Sequence, residues 1–145
     1  MQKKVRKAVI PVAGYGTRFL PFTKAVPKPM LPILNKPALQ VISEEVVNSG
    51  ITDILFIVGY KKEILESHFD AAPELEKMLA EKGKNDFLKE VVYPEKMAKF
   101  TYKIQEVQNG TASAVALARD FVGDEPFARS EEHTSELQSR GLISY

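Results

Sequence analysis

Five prolines between positions 21 and 37 (Pro21, Pro27, Pro29, Pro32 and Pro37) constrain this chain more than any other feature. Proline fixes φ, lacks an N–H and pushes the residue before it out of the helical region, so no continuous helix crosses this stretch. Just upstream lies Lys7-Ala8-Val9-Ile10-Pro11-Val12, a short apolar run rich in β-branched residues, with charge before it and glycine after. That pattern predicts a buried strand, with Pro11 tolerated near its end. Ala13 to Pro37 then forms a connection of about 25 residues without helical periodicity. A structureless connection of that length in a compact domain is uncommon and usually functional.

Downstream the period changes. Ala38 to Asn48 reads as a helix with Leu39, Ile42, Val46 and Val47 on one face and Gly50 as its stop. Ile54 to Gly59 is a second buried strand. Lys61 to Phe69 and Pro73 to Lys82 read as amphipathic helices, the latter opening on proline and followed by Gly83. Phe100 to Gln105 is strand-like and Ser113 to Phe121 helical. Strands alternating with helices predict an α/β class with a Rossmann-like, doubly wound, largely parallel sheet. Ligands of such sheets bind outside the carboxyl ends of the strands, where the loop after Val12 would lie.

At 145 residues the chain has room for one domain, and 44% apolar with 27% charged residues makes global disorder unexpected. With no cysteine, disulfide scaffolds, thiolate metal sites and cysteine nucleophiles are excluded. His68 and His133 are too few for a His-rich metal centre. No signal-like segment opens the chain and no apolar run reaches membrane-spanning length, so a cytoplasmic location is expected. Charge is unevenly spread. The first 43 residues hold eight basic and no acidic side chains, and the other 102 hold 12 basic and 19 acidic. A basic end in a nearly neutral protein suggests either an anionic partner or a solvated basic face.

Ala13-Gly14-Tyr15-Gly16-Thr17-Arg18 follows the first strand directly. Its two glycines let the backbone turn tightly and aim several N–H groups at one anion. Arg18 offers a forked contact to phosphate oxygens. Lys28 stands between Pro27 and Pro29, which restrict its backbone and suit it to stabilising charge that develops during transfer. The dinucleotide fingerprint fails because Phe19 occupies its third small position and no acidic residue follows at ribose distance. The P-loop pattern fails too, lacking Lys-Ser or Lys-Thr at the required spacing.

Gly14-Tyr15-Gly16-Thr17-Arg18, with Pro21, Thr23-Lys24, Pro27-Lys28, Met30-Leu31-Pro32 and Lys36-Pro37, resembles the signature of sugar-1-phosphate nucleotidyltransferases. His68-Phe69-Asp70, Pro73-Glu74-Leu75-Glu76 and Val122 through Ala128 narrow the resemblance to the bacterial UTP–glucose-1-phosphate uridylyltransferases. The likeness runs from residue 4 to 128. It implies that glucose 1-phosphate attacks the α-phosphate of UTP, giving UDP-glucose and pyrophosphate with Mg²⁺. The backbone of Ala13, Gly14, Gly16 and Thr17 would hold the nucleotide. Arg18 would neutralise the triphosphate, and Lys28 would sit against the phosphate undergoing substitution. Gln105 and Gly110 would read the base, the amide matching the donor–acceptor edge of uracil. UTP and glucose 1-phosphate would be the partners, with neither nucleic acid nor membrane, and the full-length enzyme would be a homo-oligomer.

This chain departs from the family in two places. It has Gly110-Thr111-Ala112-Ser113-Ala114 where the family usually has Gly-Leu-Gly-His-Ala, so a thymidylyl or other uridylyl transferase stays open. Pro29 stands where an acidic or amide residue is commoner. His68 reads as a packed or capping residue, and Glu44 with Glu45 as a solvated helix face. A non-catalytic nucleotide-binding module and a dinucleotide-dependent dehydrogenase remain as rivals. After Ala128 the family continues into an apolar strand and a metal-binding aspartate. Here Arg129 to Arg140 instead resembles an in-frame translation of a sequencing-library adapter, as does Ile143-Ser144-Tyr145. On that reading residues 1–128 are the nucleotide-binding part of a truncated domain, and 129–145 are a non-native tail. The metal ligand would then be missing, a sheet position left empty and an unpaired edge exposed, leaving the fragment inactive and marginally stable.

Overall fold

The computed structural model describes residues 4–106 and 116–130, and the backbone of 143–144. A five-stranded sheet runs in the order β5-β4-β1-β6-β7, formed by Lys7–Pro11 (β1), Asp53–Val58 (β4), Lys99–Ile104 (β5), Phe127–Arg129 (β6) and Ile143–Ser144 (β7). β1 pairs in parallel with β4 (Val9 opposite Leu55) and with β6 (Lys7 opposite Phe127), and β4 pairs in parallel with β5. Only β7 is antiparallel. A two-residue hairpin, Pro32–Ile33 (β2) with Lys36–Pro37 (β3), stands apart.

Strand alternation sends residues to two opposite cores. Ala8, Ile10, Ile54, Phe56 and Val58 face Leu39, Ile42 and Val46 of helix Ala38–Asn48 (α1), and Leu65 and Phe69 of helix Lys62–Phe69 (α2). Val9, Leu55 and Ile57 face the other way, against Ala118 and against Val122 of the short helix Arg119–Val122 (α5). A parallel sheet covered on both faces needs such continuous apolar strands. The doubly wound α/β expectation is met.

α1 occupies the predicted span. Its first N–H, at Ala38, bonds the Leu31 carbonyl (2.8 Å), and Gly50 ends it at φ 95°. Helix Pro73–Glu81 (α3) also lies where expected, its start closed by Glu76 accepting the Ala72 N–H at 2.7 Å. Helix Asn85–Lys96 (α4) was not expected. Its sequence is amphipathic, but Pro94 inside it argues locally against a helix; Pro94 is buried and the helix packs on α3 and α2. Within the Ser113–Phe121 prediction Ala116 is helical, and after a turn at Leu117 and Ala118 a short helix runs from Arg119; residues 113–115 lie outside the described set.

The empty sheet position beyond Ala128 is corrected. β6 runs on through Arg129, the Ser130 N–H bonds Val9 O (3.2 Å), and β7 pairs with it (Ala128 opposite Ser144). Ladder pairing uses backbone groups, so the polar Arg129 and Ser130 can carry the pairing as far as Val9 of β1. The turn before β6 is tied to β1 by Glu125, which bonds Arg6 and also Lys7 (2.9 Å); Lys7 further donates to Phe121 O at 2.6 Å. These two cations hold the Glu125 carboxyl below its ordinary range, mainly through the hydrogen bonds from Lys7 and Arg6. A depressed folded-state value contributes stability above the unfolded pKa that disappears as pH falls through the folded one. Glu125→Gln is therefore expected to flatten the loss of urea stability between neutral pH and pH below about 4. The effect is modest, because the pair is partly solvated. Parallel acid limbs in parent and variant would exclude this clamp.

Candidate functional site

Val12 extends the β1 ladder by donating to Ile57 O (2.8 Å), so the chain leaves the sheet at Ala13, itself buried. Gly14 and Tyr15 are exposed, and Gly16 turns the chain at φ 63°, ψ 44°. The proline segment then folds as three single 3₁₀ turns, Thr17–Phe19, Phe22–Lys24 and Lys28–Met30, before the β2–β3 hairpin. Each holds two i to i+3 bonds, such as Met30 N to Pro27 O at 2.9 Å and Leu31 N to Lys28 O at 3.0 Å, and the prolines stop any of them propagating.

These turns bring the segment back onto the glycine loop. A Cβ on Gly16 would stand 2.9 Å from Lys28 Cβ and 3.1 Å from Thr23 Cγ2. Lys28 thus packs directly on Gly16, twelve residues earlier. Pro27 and Pro29, both buried, fix it from either side, and its ammonium lies 5.7 Å from the centre of the Phe19 ring. Arg18 stands exposed in the first turn. Among the described residues no carboxylate comes within ion-pair distance of Arg18, Lys24 or Lys28. Three unneutralised cations beside a glycine turn form a surface suited to a polyanion.

The predicted residues sort clearly. Ala13, Gly14, Gly16, Thr17 and Arg18 are contiguous, and the fold adds Lys28. Gln105 lies at the carboxyl end of β5, buried, its N–H on Val58 O at 2.7 Å. Strand spacing puts it about 10 Å across the sheet from β1. Gly110 lies outside the described residues. Sequence reasoning missed Tyr60 and Lys61, which follow β4 at the same sheet edge. Tyr60 pairs with Tyr15 (6.2 Å between ring centres) across a cavity of about 390 Å³, also lined by Thr17, Pro21, Thr23 and Lys24. Their position after a strand's carboxyl end was the available signal.

A second cavity, of about 640 Å³, lies between the hairpin turn and α1 to α4. His68 borders it, its Nε2 sharing a 2.7 Å hydrogen bond with Gln40 Oε1 and its ring edge-on to Phe69. Burial holds His68 below its ordinary pKa. The packed reading of this histidine stands. Glu44 is corrected: it is partly buried and accepts from Lys36 (3.0 Å) and Gln40 (3.3 Å) rather than lying on a solvated face.

The side chains around the glycine loop are cations, hydroxyls and aromatics, a donor set unsuited to Mg²⁺. Among the described residues no three acidic or histidine side chains gather where a metal could sit. No helix of the described residues is long and apolar enough to cross a membrane.

The nucleotidyl transferase family pattern matches residues 7–134. UTP–glucose-1-phosphate uridylyltransferase 2 of Staphylococcus saprophyticus is 52% identical over 126 residues, covering 87% of this chain and 44% of that protein. The Bacillus subtilis UTP–glucose-1-phosphate uridylyltransferase is 54% identical, covering 87% and 43%. The UTP-bound UGPase from Acinetobacter baumannii superposes with a TM-score of 0.82 at 37% identity, over 87% of this chain and 45% of that one. A glucose-1-phosphate thymidylyltransferase described as putative, from Bacillus anthracis, follows at 0.62 and 26%, over 88% and 44%. The chain thus spans less than half the length of these relatives. A glycine turn closed by a proline-locked lysine at the carboxyl end of β1, inside a pattern matched over most of its length, places this chain in the nucleotidyl transferase family.

Proposed function

We propose that this chain supplies the nucleotide-binding half of a UTP–glucose-1-phosphate uridylyltransferase. The observation that carries the reading is the contact of Lys28 with Gly16, which joins a cation to a glycine backbone in a segment free of acidic neighbours. In the reaction a phosphate oxygen of glucose 1-phosphate attacks the α-phosphorus of UTP. The bond to the oxygen bridging the α- and β-phosphorus breaks, and pyrophosphate leaves with that electron pair. The enzyme's task is positioning and charge stabilisation, and no protein nucleophile is needed.

In this reading the backbone from Ala13 to Thr17, with Gly14 and Gly16, cradles the phosphates. Arg18 neutralises the triphosphate, and Lys28, poised by its two prolines, meets the charge that grows on the α-phosphate. Gln105 and Gly110 read the uracil edge. Mg²⁺ belongs to the proposal as the reaction's cation, but its ligands are not among the described residues. Cytoplasmic residence and homo-oligomeric assembly of the full-length enzyme belong to it as well.

Titration of the chain with UTP tests the reading. UTP is expected to bind in preference to dTTP. Lys28→Ala should raise the Kd roughly 10- to 150-fold, the worth of one charge-assisted contact. No UTP binding by the parent, or equal affinity for dTTP, would overturn the assignment.

A further inference from the structure

Thr23 carries no role in the reading above, yet its surroundings are the most specific in the loop. Its neighbours Phe22 and Lys24 are exposed, whereas Thr23 is 2% exposed. Burying a hydroxyl there is unfavourable unless it is bonded. It donates to the Gly16 carbonyl at 2.8 Å, and its methyl lies 3.1 Å from the place a Gly16 Cβ would take. Hydroxyl and methyl of one side chain therefore both rest on Gly16.

That peptide links Gly16 to Thr17. A trans peptide is planar, so its C=O and N–H point in opposite directions. The Gly16 carbonyl accepts the Thr23 hydroxyl at 2.8 Å and the Phe19 N–H at 3.1 Å, and pinning it on that side turns the Thr17 N–H to the other. This N–H opens the 3₁₀ turn and has no acceptor among the described residues. Lys28 packs on the same Gly16, so a shift of this peptide also moves the lysine relative to the loop.

Resting on the reading in the preceding subsection, we infer that Thr23 is a positioning residue for the nucleotide. Its hydroxyl sets the orientation of the Gly16–Thr17 peptide, and so the direction in which the Thr17 N–H meets a phosphate oxygen. Thr23 itself touches no substrate. It acts through the backbone of Gly16.

UTP affinity of the folded chain should be measured for the parent, Thr23→Val, Thr23→Ser, Lys28→Ala and the Thr23→Val/Lys28→Ala double variant. Circular dichroism fixes a temperature at which each is folded. Valine keeps the shape and removes the hydroxyl, and is expected to weaken UTP about tenfold. Serine restores the hydroxyl and should bind within about threefold of the parent. Thr23 and Lys28 share Gly16, so the double variant should lose less than the product of the single losses. The inference is overturned if valine binds like the parent, if serine and valine are equally weakened, or if the two effects multiply. Should Thr23→Val not fold, serine alone decides, a tenfold loss counting against the inference. A parent that binds UTP and loses it on Lys28→Ala but not on Thr23→Val overturns this inference alone. A parent that does not bind UTP overturns both.

Discussion

Gly16→Ala is expected to destabilise the chain by about 2–5 kcal/mol and to abolish UTP binding at concentrations that saturate the parent. Two costs combine. The backbone at Gly16 is left-handed (φ 63°), where an L side chain costs about 1–2 kcal/mol. The new Cβ also meets Lys28 Cβ at 2.9 Å. Lys28 cannot swing aside, because the atom concerned adjoins its backbone and buried prolines hold that backbone on both sides. Overpacking of this kind adds about 1–3 kcal/mol. Gly14→Ala is the matched control: nothing lies within 4 Å of its Cβ position, so its stability should change by less than about 0.5 kcal/mol. Urea denaturation of the two variants decides the matter. An unchanged midpoint for Gly16→Ala would mean that Lys28 is not seated on Gly16.

Phe56→Ala should destabilise the fold by about 3–5 kcal/mol. Phe56 is fully buried in the middle of β4. Its ring centre lies 5.4 Å from that of Phe69 on α2, and 5.5 and 5.6 Å from those of Phe100 and Tyr102 on β5. Truncation removes the shared member of three aromatic pairs and opens a cavity beneath α2. Domains are stable by only about 5–15 kcal/mol, so much of the variant should be unfolded near 37 °C. Thermal melting followed by circular dichroism reads this directly. A loss below about 1 kcal/mol would show that the aromatic cluster does not bind α2 to the sheet.

The parts of the fold carried by local pattern were legible in the sequence. Strands Lys7–Pro11 and Asp53–Val58 are unbroken apolar runs after their first, charged residue, and Ala38–Asn48 has an apolar face bounded by proline and glycine. The β2–β3 hairpin was not legible, because its turn uses Leu34 at φ 58° where the usual signal is Asn or Gly. Leu34 is also 96% exposed, so no burial pattern marks it. Helix Asn85–Lys96 escaped for a related reason. Its stability comes from packing on its neighbours, and Pro94 argued against it locally. At the site, sequence gave the glycines, Arg18 and Lys28 by type and spacing. It could not give the contact between Gly16 and Lys28, which depends on three turns of irregular backbone, nor the burial of Thr23 between exposed neighbours.

The central place of β1 has a consequence for synthesis. Lys7 pairs with Asp53 on one side and with Phe127 on the other. At about 5–20 residues per second, the second partner is translated roughly 4–15 s after the first. During that interval β1 and β4 can already be joined under α1 and α2. Their reverse face, carrying Val9, Leu55 and Ile57, still waits for Ala118 and Val122. A nascent chain in this state displays a half-covered sheet with one open edge, the surface that holdase chaperones grip. Slower synonymous codons between residues 58 and 127 lengthen that exposure and are expected to lower the soluble yield; an unchanged yield would show that the half-covered sheet is not a hazard.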